Sequence, residues 1–211
     1  MIRMNSLTVA AALAIAAVPV AAQDLNAGLG KSNFSYSTLG IQLGKVTPDE
    51  EIVFLNEVYE DFGAAALNGS FQVAGNFAIG AGASAFANEG NRTEITSSSV
   101  NLDLYIPVPL GDRVDLIPRI GYVSSEIELC ADGLCATEDD SAMSYGLAAR
   151  IWAVPGALEI SGGFSDTNEE ESESVTSIGA ALWAGEHHRF ALNYDASDSF
   201  DAVLLGYSYN W

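Results

Sequence analysis

The feature that most constrains this chain is a two-residue alternation, recurring in runs of about ten residues from about residue 34 onward. The last run is the clearest. Val203, Leu205, Tyr207, Tyr209 and Trp211 alternate with Ala202, Leu204, Gly206, Ser208 and Asn210. Successive side chains of a strand point to opposite faces, so one face here is large and apolar and the other small and mostly polar. One such strand would suit a soluble sandwich equally well, so the other runs decide. Val100, Leu102, Leu104, Ile106 and Val108 alternate with Asn101, Asp103, Tyr105 and Pro107. Met143, Tyr145, Leu147, Ala149 and Ile151 alternate with Ser144, Gly146, Ala148, Arg150 and Trp152. Leu158, Ile160 and Phe164 alternate with Glu159, Ser161, Gly163 and Ser165. Asn, Asp, Arg, Glu, Ser and Gly thus fill the second face, as a polar lumen would require. Apolar outside and polar inside is the arrangement of a barrel in lipid, where a closed ladder satisfies every backbone amide.

The connections carry a second signal. Short turns fall near Gly75-Asn76, Leu110-Gly111-Asp112, Val154-Pro155-Gly156 and Gly185-Glu186-His187-His188. Longer acidic connections fall at 46–63, 89–96, 130–140, 166–174 and 195–201. Long and short links alternate as extracellular loops and periplasmic turns do. The expected fold is all-β: a transmembrane, antiparallel, up-and-down barrel with both termini on the periplasmic side. The count gives ten strands, with eight as the alternative, and an even meander closes without an edge.

The N-terminus fits export. Arg3 precedes an apolar run from Leu7 to Val18, and Val20 and Ala22 place small side chains for cleavage before Gln23. That gives a signal peptide at 1–22 and a barrel domain at 23–211. The run is shorter than the ~20 apolar residues of a spanning helix. With Arg3 removed, 8 basic residues become 7 against 28 acidic ones, a formal charge of −21. Such a surface repels nucleic acid, which is excluded as a partner. Cys130 and Cys135 sit close together in an exported chain, so a disulfide is expected, contributing about 2 kcal/mol or less before strain.

The signal peptide and the alternating last strand ending in Tyr207, Tyr209 and Trp211 give the chain a family resemblance. Over residues 30–211 it resembles the small outer-membrane β-barrel proteins of Gram-negative bacteria. That resemblance implies location in the outer membrane among lipid and lipopolysaccharide. It also implies that Tyr207, Tyr209 and Trp211 act as a recognition signal for the barrel assembly machinery.

Some barrels of this kind are enzymes that rely on a histidine near the outer leaflet or extracellular mouth. Only His187 and His188 exist here, both in an expected periplasmic turn, which argues against such an enzyme. Neither a cofactor nor a complete metal site is implied, since adjacent histidines point apart. The lumen offers a sharper constellation. If one turn centres on Gly111, Asp103 faces Arg119; around Val154-Pro155, Arg150 faces Glu159. These four would form a charged belt, read first as structural pairing and second as a constriction. Ala66, Ser70, Ala74, Ala78, Gly80, Gly82 and Ser84 present small side chains that would leave room for water.

Asp49, Glu50, Glu51, Glu57, Glu60 and Asp61 crowd the first long connection, and Glu169, Glu170, Glu171 and Glu173 the fourth. They form a solvated face that could gather Ca²⁺ or Mg²⁺, without the spacing of a tight site. Thr47-Pro48-Asp49-Glu50 followed by Ile52, Leu55, Tyr59 and Phe62 predicts a short helix packed on the rim. The expected function is a non-enzymatic outer-membrane barrel with an envelope-structural role and a narrow, cation-favouring pore as its transport reading. The alternative is a surface-binding protein acting through acidic extracellular loops.

Overall fold

The computed structural model describes residues 29, 31–169 and 173–211; the signal peptide expected at 1–22 lies outside them. In chain order the strands are β1 (Thr38–Pro48), β2 (Ile52–Phe54), β3 (Glu57–Tyr59), β4 (Phe62–Ala74), β5 (Phe77–Glu89), β6 (Thr93–Tyr105) and β7 (Val108–Leu110). They continue with β8 (Val114–Ala131), β9 (Leu134–Val154), β10 (Leu158–Thr167), β11 (Val175–Ala184), β12 (His188–Ala196) and β13 (Phe200–Asn210). Ten of these make the wall. β7 resumes the line of β6 beyond Ile106–Pro107, and β2–β3 is a separate hairpin in the first long connection. Every wall strand runs antiparallel to its neighbours. The first closes on the last, from Thr38 opposite Asn210 to Pro48 opposite Phe200. The expected ten-stranded closed barrel is the fold.

The outer face carries the apolar set read from the alternation, including Leu39, Ile41, Leu102, Ile178 and Tyr207. Leu205 is 67 % exposed and Leu182 63 %, values that only lipid can cover at no cost. Of the small residues expected to leave space for water, Ala66, Ser70 and Ser84 line cavities, but two glycines do something else. Gly80 seats the Tyr105 ring, since a Cβ there would meet Tyr105 Cε2 at 2.5 Å, and Gly82 likewise receives Asn101. Small positions on β5 are sockets for large ones on β6.

Two expectations about connections give way. The segment 47–62 forms no helix. Leu55 and Asn56 both have positive φ, so β2 and β3 pair around a tight two-residue turn. β-branched Ile52, Val53 and Val58 favour that outcome over a short, marginal helix. The third long connection, 130–140, is no irregular loop either. β8 and β9 run on together to an Asp132–Gly133 turn. β6 stays paired to β8 as far as Thr93 opposite Ala131, whereas β10 pairs with β9 only up to Thr167 opposite Ser144. Cys130 and Cys135 face each other across the β8–β9 pair and form the expected disulfide.

Candidate functional site

A lumen is defined by what closes its ends, and here the two ends differ. At the short-turn end, which the sequence reading assigns to the periplasm, residues 31–37 do not begin the first strand. They turn into the barrel and fill it. Phe34 stacks on Trp152 with ring centroids 4.6 Å apart, and the Arg150 guanidinium lies over the Phe34 ring at 4.3 Å. Phe34 and Tyr36 pack against Ala78, Ile117, Tyr105 and Ala148 from four different strands of the wall.

Polar groups fix this plug. The Asn33 backbone N–H and side-chain Nδ2 donate to Asp115, whose other oxygen accepts from the Tyr36 hydroxyl at 3.0 Å. Trp152 Nε1 donates to the Asn33 carbonyl at 3.2 Å, and Ser70 Oγ to the Tyr36 carbonyl at 2.7 Å. Beside them Glu159 is fully buried. It accepts two bonds from Arg150 at 2.8 and 2.9 Å, two from Arg189 at 2.9 and 3.2 Å, and one from Trp183 Nε1 at 3.0 Å. Two carboxylates (Asp115 and Glu159) and two guanidiniums (Arg150 and Arg189) therefore balance in one buried net. Breaking such a net exposes its members to the full cost of an unpaired buried charge.

The expected charged belt is thus half assembled. Arg150 and Glu159 are ion-paired at 2.8 Å, but diagonally: Glu159 faces Trp152 and Arg150 faces Ser161. Asp103 and Arg119 do not pair. Leu110 pairs with Val114, so the turn centres on Asp112 rather than Gly111. Each facing pair then slips by two residues: Arg119 stands opposite Tyr105, and Asp103 opposite Gly121. Asp103 is instead buried against Asn101 and Tyr105. Among the described residues Arg119 makes no ion pair, and it points into open lumen between a cavity of about 260 Å³ above the plug and one of about 460 Å³ farther out.

The long-connection end is built differently. Tyr59, Phe62 and Ile95 form a small cluster with Val46, Phe54, Phe86 and Leu129, which docks the β2–β3 hairpin on one side of the mouth. Glu57 anchors it: the Thr93 hydroxyl and the backbone N–H groups of Asn91, Arg92 and Thr93 donate to its carboxylate. Those donors, Thr93 first, hold the Glu57 carboxyl below its ordinary value. Beside the hairpin the mouth opens into a cavity of about 710 Å³.

His187 and His188 sit at the short-turn end, where β11 turns into β12. His187 Nδ1 lies 2.7 Å from the Asn210 carbonyl and stacks on Tyr209; His188 Nδ1 lies 2.9 Å from the Tyr207 hydroxyl. Tyr207, Tyr209 and Trp211 follow one another on the lipid face. The one group of metal-ligand types whose donor atoms converge, among the described residues, is Glu128 with Cys130 and Cys135, and its sulfurs are consumed in the disulfide. Sequence reasoning missed Asn33, Phe34, Tyr36, Asp115, Trp183 and Arg189. Asp115 and Arg189 were visible as inward-parity charges; the plug was not, because Phe34 and Tyr36 continue the alternation of a strand.

A closed antiparallel barrel with a lipid-facing apolar skin and a polar, side-chain-packed interior defines a membrane barrel. The chain belongs to the outer membrane protein beta-barrel domain family, whose model matches residues 8–210, and it is a protein of the bacterial outer membrane. No curated protein matches it in sequence. Among solved structures it is similar to the outer membrane protease OmpT from Escherichia coli, at 9 % identity and a TM-score of 0.50, covering 82 % of this chain and 95 % of that one. It is also similar to Ail, the attachment invasion locus protein of Yersinia pestis, at 8 % identity and a TM-score of 0.45, covering 83 % and 99 %. Neisserial surface protein A gives 8 % identity, a TM-score of 0.43 and coverage of 86 % and 99 %. At such identities the likeness concerns the fold alone.

Proposed function

We propose that this protein is a non-enzymatic structural barrel of the outer membrane, closed on its periplasmic side, whose working surface is the extracellular one. The observation that carries this reading is the plug: residues 31–37 fill the periplasmic end on a buried, charge-balanced net. A channel would need that net to open. The outer end supports a surface role, since the stapled β8–β9 hairpin carries Glu126, Glu128, Asp132, Glu138, Asp139 and Asp140 where β9 runs on past the end of β10. These acids repel anions and attract diffuse counter-ions, Ca²⁺ and Mg²⁺ included, by field alone. Both histidines are engaged at the periplasmic rim, which speaks against catalysis at the mouth. In this reading lipopolysaccharide surrounds the wall, and the Tyr207, Tyr209 and Trp211 row serves the barrel assembly machinery.

A second reading, a narrow cation-favouring pore, draws on the cavities that narrow from the mouth to the plug. Planar-bilayer conductance separates the two. The refolded mature protein should be silent, and Phe34→Ala with Tyr36→Ala should produce discrete steps, with folding of both checked by heat-shifted gel mobility. Steady cation-selective current through the unaltered protein would make the pore reading the right one.

A further inference from the structure

The cavity at the extracellular mouth combines two kinds of wall that rarely meet without a reason. It lies inside β12, β13, β1, β4 and β5, beneath the strand-to-hairpin link at Asp49 and Glu50. Its body is apolar: Val46, Phe62, Phe86, Phe200 and Leu204 line it with alanines between them. Its polar groups are almost all carboxylates, from Asp49, Glu50, Glu173, Asp195 and Asp198, and neither lysine nor arginine is among the residues lining it. Among the described residues, the ion pairs of the molecule join Lys45 to Asp61, Arg92 to Asp132, and Arg150 and Arg189 to Glu159. None of the cavity's five carboxylates is in one of these ion pairs; Asp195 alone feels a nearby cation, Arg119, across the adjoining chamber.

Geometry excludes the simplest occupant. A divalent ion needs several oxygens converging at about 2.0–2.6 Å. These five acids do not converge; among the described residues, the only group close enough is the one at the disulfide. What remains is a diffuse negative field around a concave, largely apolar chamber of about 710 Å³, within the size range of small-molecule sites. An anion is repelled there, and a hydrated inorganic ion gains nothing from the apolar wall. An organic cation gains from both.

We infer that the mouth cavity is a binding site for amphiphilic organic cations, molecules with one positive centre on an aromatic or aliphatic body. The body fills the space between Phe62, Phe86, Phe200 and Leu204, and the charge sits within the field of Asp195 and Asp198. Affinity falls as salt rises, because the charges act through space rather than by contact. The site opens outward and does not depend on the plug, so it stands or falls separately from closure of the periplasmic end.

The test uses the mature barrel in nanodiscs of zwitterionic lipid, titrated calorimetrically with tetraphenylphosphonium, with empty nanodiscs as the blank. Tetraphenylborate, of the same shape and opposite charge, reports on lipid partitioning. The cation should bind saturably at one site per barrel and the anion should not exceed its blank. Ala66→Trp, which fills the chamber, should weaken the cation at least tenfold. Asp195→Asn with Asp198→Asn should weaken it about tenfold while leaving the chamber open. The Phe34→Ala, Tyr36→Ala variant should bind it unchanged. A cation signal no larger than that of empty nanodiscs, equal binding of the anion, or indifference to both site variants in folded protein would each overturn the assignment.

Discussion

The two ends of this barrel hold the same kinds of residue and use them in opposite ways. At the periplasmic end carboxylates are buried, and each is matched by guanidinium, amide, indole or phenol donors; aromatic rings fill what space remains. At the extracellular end carboxylates stand around an unfilled chamber with no cation among the lining residues. The first arrangement converts charge into rigidity, since a matched net in low dielectric tolerates no loosening. The second keeps charge available to whatever arrives from outside. One barrel can therefore be sealed and receptive at once, because its two ends solve the problem of burying acid differently.

The comparison breaks most easily at Glu159. Glu159→Gln should cost about 3–5 kcal/mol in urea unfolding of the refolded barrel, as expected when two buried guanidiniums lose their counter-charge. Asp198→Asn at the mouth should change stability by no more than about 0.5 kcal/mol. Similar losses at both positions would erase the distinction drawn between the ends.

Double-mutant cycles sharpen it. Arg150→Ala with Glu159→Ala should show coupling above about 1 kcal/mol, whereas Asp103→Ala with Arg119→Ala should be additive within about 0.5 kcal/mol. Additivity in the first cycle would mean that the diagonal pair is not the anchor it resembles. Replacing Cys130 and Cys135 by serine should cost about 2 kcal/mol at most, felt as faster amide exchange near the Asp132–Gly133 turn rather than as a shift of the barrel's unfolding midpoint.

The smallest effect concerns pH. The folded state depresses the Glu57 carboxyl, so its anchoring is fully present above the ordinary value of 4.5 and is lost as pH falls through the lower folded value. Amide exchange across Val53 and Val58 should quicken in acid below that point while the wall strands stay protected. Glu57→Gln should remove the pH dependence and leave the hairpin loosened at neutral pH. Protection that holds flat down to strong acid would show that the hydrophobic cluster alone seats the hairpin.

Much of the wall could be read from residues alone. A period of two with a large apolar face leaves a closed barrel as the solution in lipid, and Gly, Pro and Asn mark where it turns. Register was beyond that reading. Gly111 and Asp112 are equally good turn centres on paper, and moving the centre by one shifts every facing pair by two. That slip separated Asp103 from Arg119, while the long Arg150 side chain could still reach Glu159 along the diagonal. The hairpin escaped because Ile52, Leu55, Tyr59 and Phe62 satisfy helical spacing as well as they satisfy a turn at Leu55-Asn56. The plug escaped for a deeper reason: nothing local distinguishes Phe34 and Tyr36 in a lumen from Phe34 and Tyr36 at the start of a strand. Only their distant partners make the difference.

That distance has a consequence in time. Asn33 bonds Asp115, and the Ser35 carbonyl accepts from Arg150, partners that lie 82 and 115 residues farther along the chain. The plug therefore lacks its charged anchors until β8 and β9 are in place, and contacts of such long sequence separation form late. During assembly, cysteine labelling at position 36 should stay fast until those strands are protected, and then fall away. The wall is then expected to close before residues 31–37 take their seats inside it.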